Sequence, residues 1–509
     1  MSIWLWRSAS VVPYTYSLRS DMEAPRRISV QARPMRIACS LSSGLVKSTG
    51  VAGLTVLSKD VASSPGAGGD ALIGRRRYPE GLAVDERRDR TTDCGGAVPL
   101  RPVRPCGGAV TTAEREGRQP MPGDPTRWWA NRLHALLGIP PTSGNDVNVL
   151  TNGDRIFEAM IDAIDRAERD VDFETFVWWR GDITERFAAA FSAAAARGCR
   201  VRVLLDALGS RKIDNDQTEQ MRDAGCEVRW FRPLFDKVPK LVEANRRTHR
   251  KILVCDGKVG FCGGVGIADE WTGNAEDKAE WRDTHLELRG PVVAGLHGAF
   301  LDNWVDQHDE ELDPAAEFEI DFAEHGRSSC FVVRGAAETG SSDVWNLMMA
   351  MVSLARRSIT IATAYFNPDD QMLRALASAV ERGVVVTLLV PGEHADKRFI
   401  QIAGEQSYAQ LLDAGVSIME YQVSMMHAKV VTVDGAIATV GSCNLNQRSM
   451  QHDEEANVVV IDPGVVAELD AQLANDLERS TEIDPVAWSE RRLIQRLAER
   501  AANVVERWL

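Results

Sequence analysis

Long apolar runs are missing from this chain of 509 residues: none reaches about 18, so nothing in it reads as a bilayer-crossing helix. The opening MSIWLWRSASVVPYTYSLRS is too interrupted for a membrane span or a secretion signal. Cys-x-x-Cys spacing is also absent. The nine cysteines (Cys39, Cys94, Cys106, Cys199, Cys226, Cys255, Cys262, Cys330 and Cys443) are odd in number and scattered, which argues against a disulfide framework or a zinc site and fits a reducing cytoplasm. Helical or strand periodicity is lacking over residues 1–120, which are rich in Gly, Ser, Arg and Pro and contain GRRRYPE and DERRDRTTD. That head holds 18 Lys and Arg against 11 Asp and Glu, a net of +7, whereas the remainder holds 41 against 62, a net of −21. The break near Met121 marks 1–120 as a disordered or non-native extension, with Met121 as the expected start; a basic arm for nucleic acid or anionic lipid is the alternative.

What the chain does have is alternation. In the first half NGDRIFEAMIDAIDRAERD reads as a helix, DVDFETFVWW as a strand, ITERFAAAFSAAAARG as a helix, and CRVRVLLD and CEVRWF as strands separated by a helix ending at Ala224-Gly225. The second half replays the order with SSDVWNLMMAMVSLARR, SITIATAYF, DDQMLRALASAVERG, VVVTLLV and SYAQLLDAGVSIMEY. Landmarks recur at nearly constant offset: Gly198 and Gly383 differ by 185, Gly225 and Gly415 by 190, His249 and His427 by 178. An internal duplication follows. The expected fold is α/β: two duplicated α/β sandwich domains, each a mixed β-sheet flanked by helices, related by a pseudo-twofold. Their expected limits are 121–308 and 329–480, with an acidic linker at 309–328 and a C-terminal amphipathic helix at 481–509. That tail, and RWWANRLHALLGI at 127–139, could each lie at a membrane interface or pack on protein, the latter segment on the first domain.

The chemistry-bearing stretches are HRKILVCDGKVGFCGG and HAKVVTVDGAIATVGSCN. Each sets a histidine two residues before a lysine and seven before an aspartate: His249, Lys251 and Asp256, then His427, Lys429 and Asp434. A strand aims alternate side chains to one face, so each pair would place an imidazole beside a fixed positive charge. Gly263 with Gly264, and Gly441 with Ser442, follow at the same offset. One copy could be an ordinary strand and turn, but two with the same spacing are a specific signal.

These twin His-x-Lys-x4-Asp motifs resemble the phospholipase D superfamily. WRDTHLEL, PGEHADKRF and VGSCNLNQRS are most similar to its bacterial cardiolipin synthases, over roughly 145–465. The resemblance implies two phospholipase D-like domains and a covalent phosphohistidine formed on one histidine, while the other protonates the leaving alcohol and activates the incoming one. His249 is assigned as nucleophile and His427 as general acid and base. The residues themselves fit attack on a phosphodiester, which needs a nucleophile, a proton donor and positive charge for the phosphoryl oxygens. Lys251 and Lys429 supply that charge, and Asn444, Ser442 and the backbone near Gly263 and Gly441 supply phosphate-binding donors, so neither metal nor cofactor is needed.

Asp283 and Glu455, each two residues before a His or Asn, are the expected acids that hold the second ring nitrogen of the histidines. Asp256 and Asp434 are expected to hold the turns after their strands. One departure stands out: Gly266 takes the place that Asn444 has in the second half. Arg232, Lys237, Lys240, Arg246, Arg247 and Arg250 before His249, with His394, Lys397 and Arg398 before His427, could draw an anionic headgroup. The expected activity is phosphatidyl transfer between alcohols, making cardiolipin from phosphatidylglycerol, by a cytoplasmic enzyme in peripheral contact with the inner face of the cell membrane. Hydrolysis to phosphatidic acid is the first alternative. A nucleic-acid phosphodiesterase is the second, opposed by the core's net of −21. The family's two membrane spans ahead of the catalytic part have no counterpart here.

Overall fold

A computed structural model describes residues 123–233, 246–306, 317, 319–335 and 343–490. The first 120 residues, Lys237 and Lys240, and the tail from residue 491 lie outside them.

The first half contributes β1 (Thr142–Thr151), β2 (Asp170–Thr175), β3 (Arg200–Asp206), β4 (Glu227–Phe231), β5 (Ile252–Cys255), β6 (Val259–Gly263) and β7 (Thr284–Arg289). The second contributes β8 (Ser328–Gly335), β9 (Ser358–Ala362), β10 (Val385–Pro391), β11 (Ser417–Tyr421), β12 (Val430–Val433), β13 (Ile437–Gly441), β14 (Glu455–Ile461) and β15 (Ser480–Glu482). The first set is ordered β1-β7-β6-β5-β2-β3-β4 and the second β8-β14-β13-β12-β9-β10-β11-β15. Apart from the edge strand β15, one half is the other renumbered. β2, β3 and β4 run parallel, as do their counterparts β9, β10 and β11, and the remaining pairs, the edge pair β11–β15 included, are antiparallel.

The duplication therefore holds, but the halves are not separate bodies. β1 and β8 pair antiparallel, with Thr142 opposite Cys330 and Asn145 opposite Ser328, so one fifteen-stranded sheet runs through both. Asn145 is fully buried at this join, its amide donating to the carbonyls of Thr142 (2.8 Å) and Ser328 (3.1 Å). One core is shared: Val149, Leu286 and Val293 of the first half and Val332, Val458 and Leu469 of the second belong to a single cluster. The other two cores lie one per half, under helices Asn152–Asp165 and Asp182–Ala196 in the first and Asp343–Leu354 and Asp370–Glu381 in the second.

Three expected boundaries move. Helix Pro125–Leu137, capped by Asp124 and ended by left-handed Gly138, buries Trp129 and Leu133 in the core of the second half, not on the first domain. The acidic linker is part structure, because Glu317 is buried against Arg200 and Arg202 and β8 begins at Ser328. Of the expected C-terminal helix, the described residues form β15 and the short helix Pro485–Ser489, whose Trp488 lies 5.4 Å from the Tyr408 ring.

Candidate active site

The expectation that His and Lys share a strand is correct in direction and early in position. β5 starts at Ile252 and β12 at Val430, so His249, Lys251, His427 and Lys429 lie in the extended segments that lead into them. Each segment is pinned to the opposite half. His249 N donates to Glu454 O (2.8 Å) and Glu454 N to Arg247 O (2.8 Å); His427 N donates to Arg282 O (2.8 Å) and Arg282 N to Met425 O (2.9 Å). Isolated bridges Thr248–Glu454 and Arg282–Met426 are thus images of each other, and they draw both motifs to the seam.

The expected orienting acids are crossed between halves. His249 Nδ1 lies 3.1 Å from Glu455 Oε1 and 3.0 Å from the Ser442 carbonyl; His427 Nδ1 lies 2.7 Å from Asp283 Oδ2. Both acceptors fix the Nδ1–H tautomer, which leaves Nε2 as the reactive nitrogen of each ring. Each acid has a second donor, and the donors differ. Ser442 Oγ donates to Glu455, whereas Asp283 accepts from Trp271 Nε1 at 2.9 Å. Gly264, in the place of Ser442, has no room for a side chain, because a Cβ there would fall 2.2 Å from Asp283 Oδ1.

Burial and shared charge set the protonation states. Burial, then Lys251, pushes His249 down to about 4, and burial, then Lys429, pushes His427 down to about 3. Lys429 also acts on His249 and Lys251 on His427, so the four groups share one field. Burial takes Lys251 down to about 8 and Lys429 to about 7, against the pull of Glu455 and Asp283. Burial alone would raise Asp283 and Glu455, yet Lys429 and His427 hold the first, and His249 and Lys251 the second, below the usual carboxylate range. Between about pH 4 and 7 the result is two neutral imidazoles, two carboxylates and two ammonium groups in one cluster. Lys251 Nζ donates to His249 O at 2.7 Å, and Lys429 Nζ to His427 O while lying 2.8 and 3.1 Å from the two ring nitrogens.

Other expected site residues have different tasks. Asp256 and Asp434 stand at positive φ (55° and 58°), but their carboxylates do not close their own turns. Asp256 accepts the N–H groups of Glu168, Arg169 and Asp170, and Asp434 those of Arg356, Arg357 and Ser358. Each motif aspartate therefore fastens its hairpin to the start of the neighbouring antiparallel strand, β2 or β9. Gly441 spends its N–H on Lys429 O (3.3 Å), and a Cβ there would fall 2.3 Å from Ala456 O; at Gly263 it would fall 2.3 Å from His285 Nδ1. Close strand approach alone requires glycine at both positions.

Asn444 is buried, and its Oδ1 has no partner among the described residues. A Cβ on its counterpart Gly266 would fall 2.7 Å from Val177 Cβ. The basic cluster before His249 dissolves in part: Arg247 is buried on Asp206 (2.9 Å) and Arg250 on Glu454 (3.2 Å), while Lys397 and Arg398 stay exposed.

The sequence reading missed the aromatic walls. Phe176 lies 5.2 Å from the His249 ring, and Trp271 and Trp281 lie 5.0 and 5.4 Å from the His427 ring. It also missed why His285 and Asn457 follow the acids. His285 Nδ1 takes the N–H of Val265 (3.5 Å) and Asn457 Oδ1 that of Cys443 (3.2 Å), each two residues past the motif glycine. Their matched spacing from Asp283 and Glu455 was the available signal.

Comparison with known proteins agrees with this geometry. The family described as "Cardiolipin synthase, PLD-like domain" matches residues 160–287 and 348–477, once per half. Cardiolipin synthase 2 of Bacillus anthracis is 36% identical over 377 residues, 73% of this chain and 71% of that protein. Cardiolipin synthase A of Pseudomonas aeruginosa (strain LESB58) is 33% identical over 373 residues, 73% and 75% of the two. The crystal structure of phosphatidylserine synthase from Haemophilus influenzae Rd KW20 superposes with a TM-score of 0.57 at 13% identity, over 76% of this chain and 97% of that one, and so shares the fold. With its motif doubled, its acids crossed and two thirds or more of such relatives covered, this chain belongs to the cardiolipin synthase family of phospholipase D-like enzymes.

Proposed function

We propose that the chain transfers a phosphatidyl group between alcohols through a phosphohistidine, making cardiolipin and free glycerol from two molecules of phosphatidylglycerol. The observation that carries this is the crossed pairing, which gives both rings a reactive Nε2 beside two ammonium groups. The names of the relatives supply the substrate class. His249 is the more accessible ring, 12% exposed against 6%, and takes the role of nucleophile.

Its Nε2 lone pair forms a bond to phosphorus as the bond to the glycerol oxygen breaks. That oxygen takes the proton of His427 Nε2–H. An anionic phosphodiester offsets Lys251 and Lys429 and lifts His427 toward the range where it carries that proton. The headgroup hydroxyl of the second phospholipid then gives its proton to His427, bonds to phosphorus and releases His249. Lys251, Lys429 and Asn444 hold the phosphoryl oxygens. Because the substrate is a membrane lipid, this reading includes peripheral contact with the inner face of the cell membrane. Among the described residues no helix is long and apolar enough to cross it.

Rapid quenching with phosphate-labelled phosphatidylglycerol tests the proposal. His249→Asn should give no labelled protein, and His427→Asn, which loses the acid of the first step and the base of the second, should label His249 more slowly than the parent and lose that label more slowly still. Label on His427 in the His249 variant would reverse the roles, and label on neither histidine in the parent enzyme would remove the covalent route. Mass spectrometry of the lipids decides the product: phosphatidic acid alone would replace transfer by hydrolysis.

A further inference from the structure

A reaction that joins two like phospholipids on a duplicated frame needs an asymmetry to tell donor from acceptor. The loop after β2 provides one. Trp179 and Asn367 are counterparts, since Trp179 N donates to Ile267 O and Asn367 N to Leu445 O, each acceptor four residues past its motif glycine. Only the first half therefore sets an indole there.

Trp179 lies 6.1 Å from the Trp271 ring and 6.5 Å from the Trp281 ring, and both of those rings touch His427. Trp179 also walls a cleft of about 510 Å³ with Arg180, Arg211, Lys212, Ile213 and Glu270. Lys212 Nζ stands 3.9 Å from the centroid of the Trp179 ring, and Arg180 and Arg211 are exposed. The Arg180 guanidinium is 3.7 Å from Asp214, a long pair on the surface that leaves the group available to a stronger anion. The segment that carries Trp179 also carries Phe176, 5.2 Å from the His249 ring, and Glu270 of the cleft directly precedes Trp271, 5.0 Å from the His427 ring, so both chain segments that wall the cleft also wall the catalytic cluster.

Three cations around one carboxylate and an indole, in a chain whose residues 121–509 carry a net of −21, make a local anion site with an apolar wall. We propose that this cleft binds the phosphate of the phospholipid that accepts the phosphatidyl group, with its headgroup reaching His427 along Trp271 and Trp281. The subsite rests on the transfer reading, with His427 as the base for the incoming hydroxyl. The donor phosphate, held by Lys251, Lys429 and Asn444, does not use it.

The test is the full chain with Arg180, Arg211 and Lys212 all changed to Gln, assayed on phosphatidylglycerol vesicles. Labelling of His249 in a single turnover should stay within about twofold of the parent, which also shows that the variant folds. Cardiolipin formed per phosphatidic acid should fall at least tenfold. Transfer to free glycerol, which has no phosphate, should be unchanged, and transfer to soluble glycerol phosphate should fall with that to the lipid. Unchanged partition between cardiolipin and phosphatidic acid would overturn the subsite. So would an equal loss of His249 labelling, which would assign the cleft to the donor, and so would a loss confined to the lipid acceptor, which would assign it to vesicle contact. A parent enzyme that labels His249 but never forms cardiolipin would overturn the transfer reading first, and the subsite with it.

Discussion

At the scale of single residues the crossed acids carry the most specific consequence. Glu455 serves His249 and Asp283 serves His427, so each half supplies the acid for the other half's ring. Removing such an orienting partner costs about 10–100-fold. Glu455→Gln should slow the appearance of labelled His249 by that factor. Asp283→Asn should slow both the appearance and the decay of labelled His249, because His427 gives and then takes the proton, and rapid quench tells this from the effect of Glu455→Gln on appearance. Charge gives a second expectation. Lys251 at about 8 and Lys429 at about 7 lose their protons over the range in which many enzymes are assayed. An oxyanion whose own charge is constant, such as tungstate, should therefore bind about tenfold more weakly at pH 9 than at pH 6.5, as calorimetry would show. Lys429→Met should flatten most of that slope.

At the scale of elements, the hairpins β5–β6 and β12–β13 are each locked by one aspartate to the antiparallel strand beside them, β2 and β9. Asp434 is buried and accepts three backbone N–H groups at the entrance to β9, while its own φ of 58° disfavours most side chains. Asp434→Ala strands those donors and should cost on the order of 3 kcal/mol of stability. Urea unfolding measures that cost. Turnover per folded molecule should change little, because the carboxylate holds the hairpin and not the phosphate. A large loss of turnover with unchanged stability would give Asp434 a direct part in the chemistry. The same element logic limits repair of the asymmetric loop. Gly266→Asn would not restore a second Asn444, because its Cβ meets Val177 and the Trp271 ring.

At the scale of the whole molecule, one sheet and one shared core join the halves. The described halves should unfold in a single transition by fluorescence and circular dichroism, and neither half expressed alone should label a histidine, since each lacks its partner's acid. Acid stability follows from the buried rings. Burial holds His249 and His285 at about 4 and His427 at about 3, below an unfolded value of about 6.5. Their neutral forms thus contribute stability that is complete above about pH 6.5 and is lost as pH falls toward 4 and 3, because the unfolded chain binds the protons first. His285→Asn copies the residue found at Asn457. It should leave the urea midpoint at pH 8 nearly unchanged and reduce its fall between pH 6.5 and 4.

The spacing of His249, Lys251 and Asp256 and its repeat at His427, Lys429 and Asp434 were legible in the chain because strand alternation and glycine turns are local properties. The duplicated α/β order was legible for the same reason, since hydrophobic period and helix stops act over a few residues. Helix Pro125–Leu137 was assigned correctly as a helix and placed on the wrong half, because an apolar stripe does not name its partner. The crossing of Asp283 and Glu455, the burial of Arg247 and Arg250 in ion pairs, and the single Trp179 wall all depend on which distant backbones meet. Side-chain reach is a few ångströms and sequence separation says nothing about it, so only the closed sheet decided them.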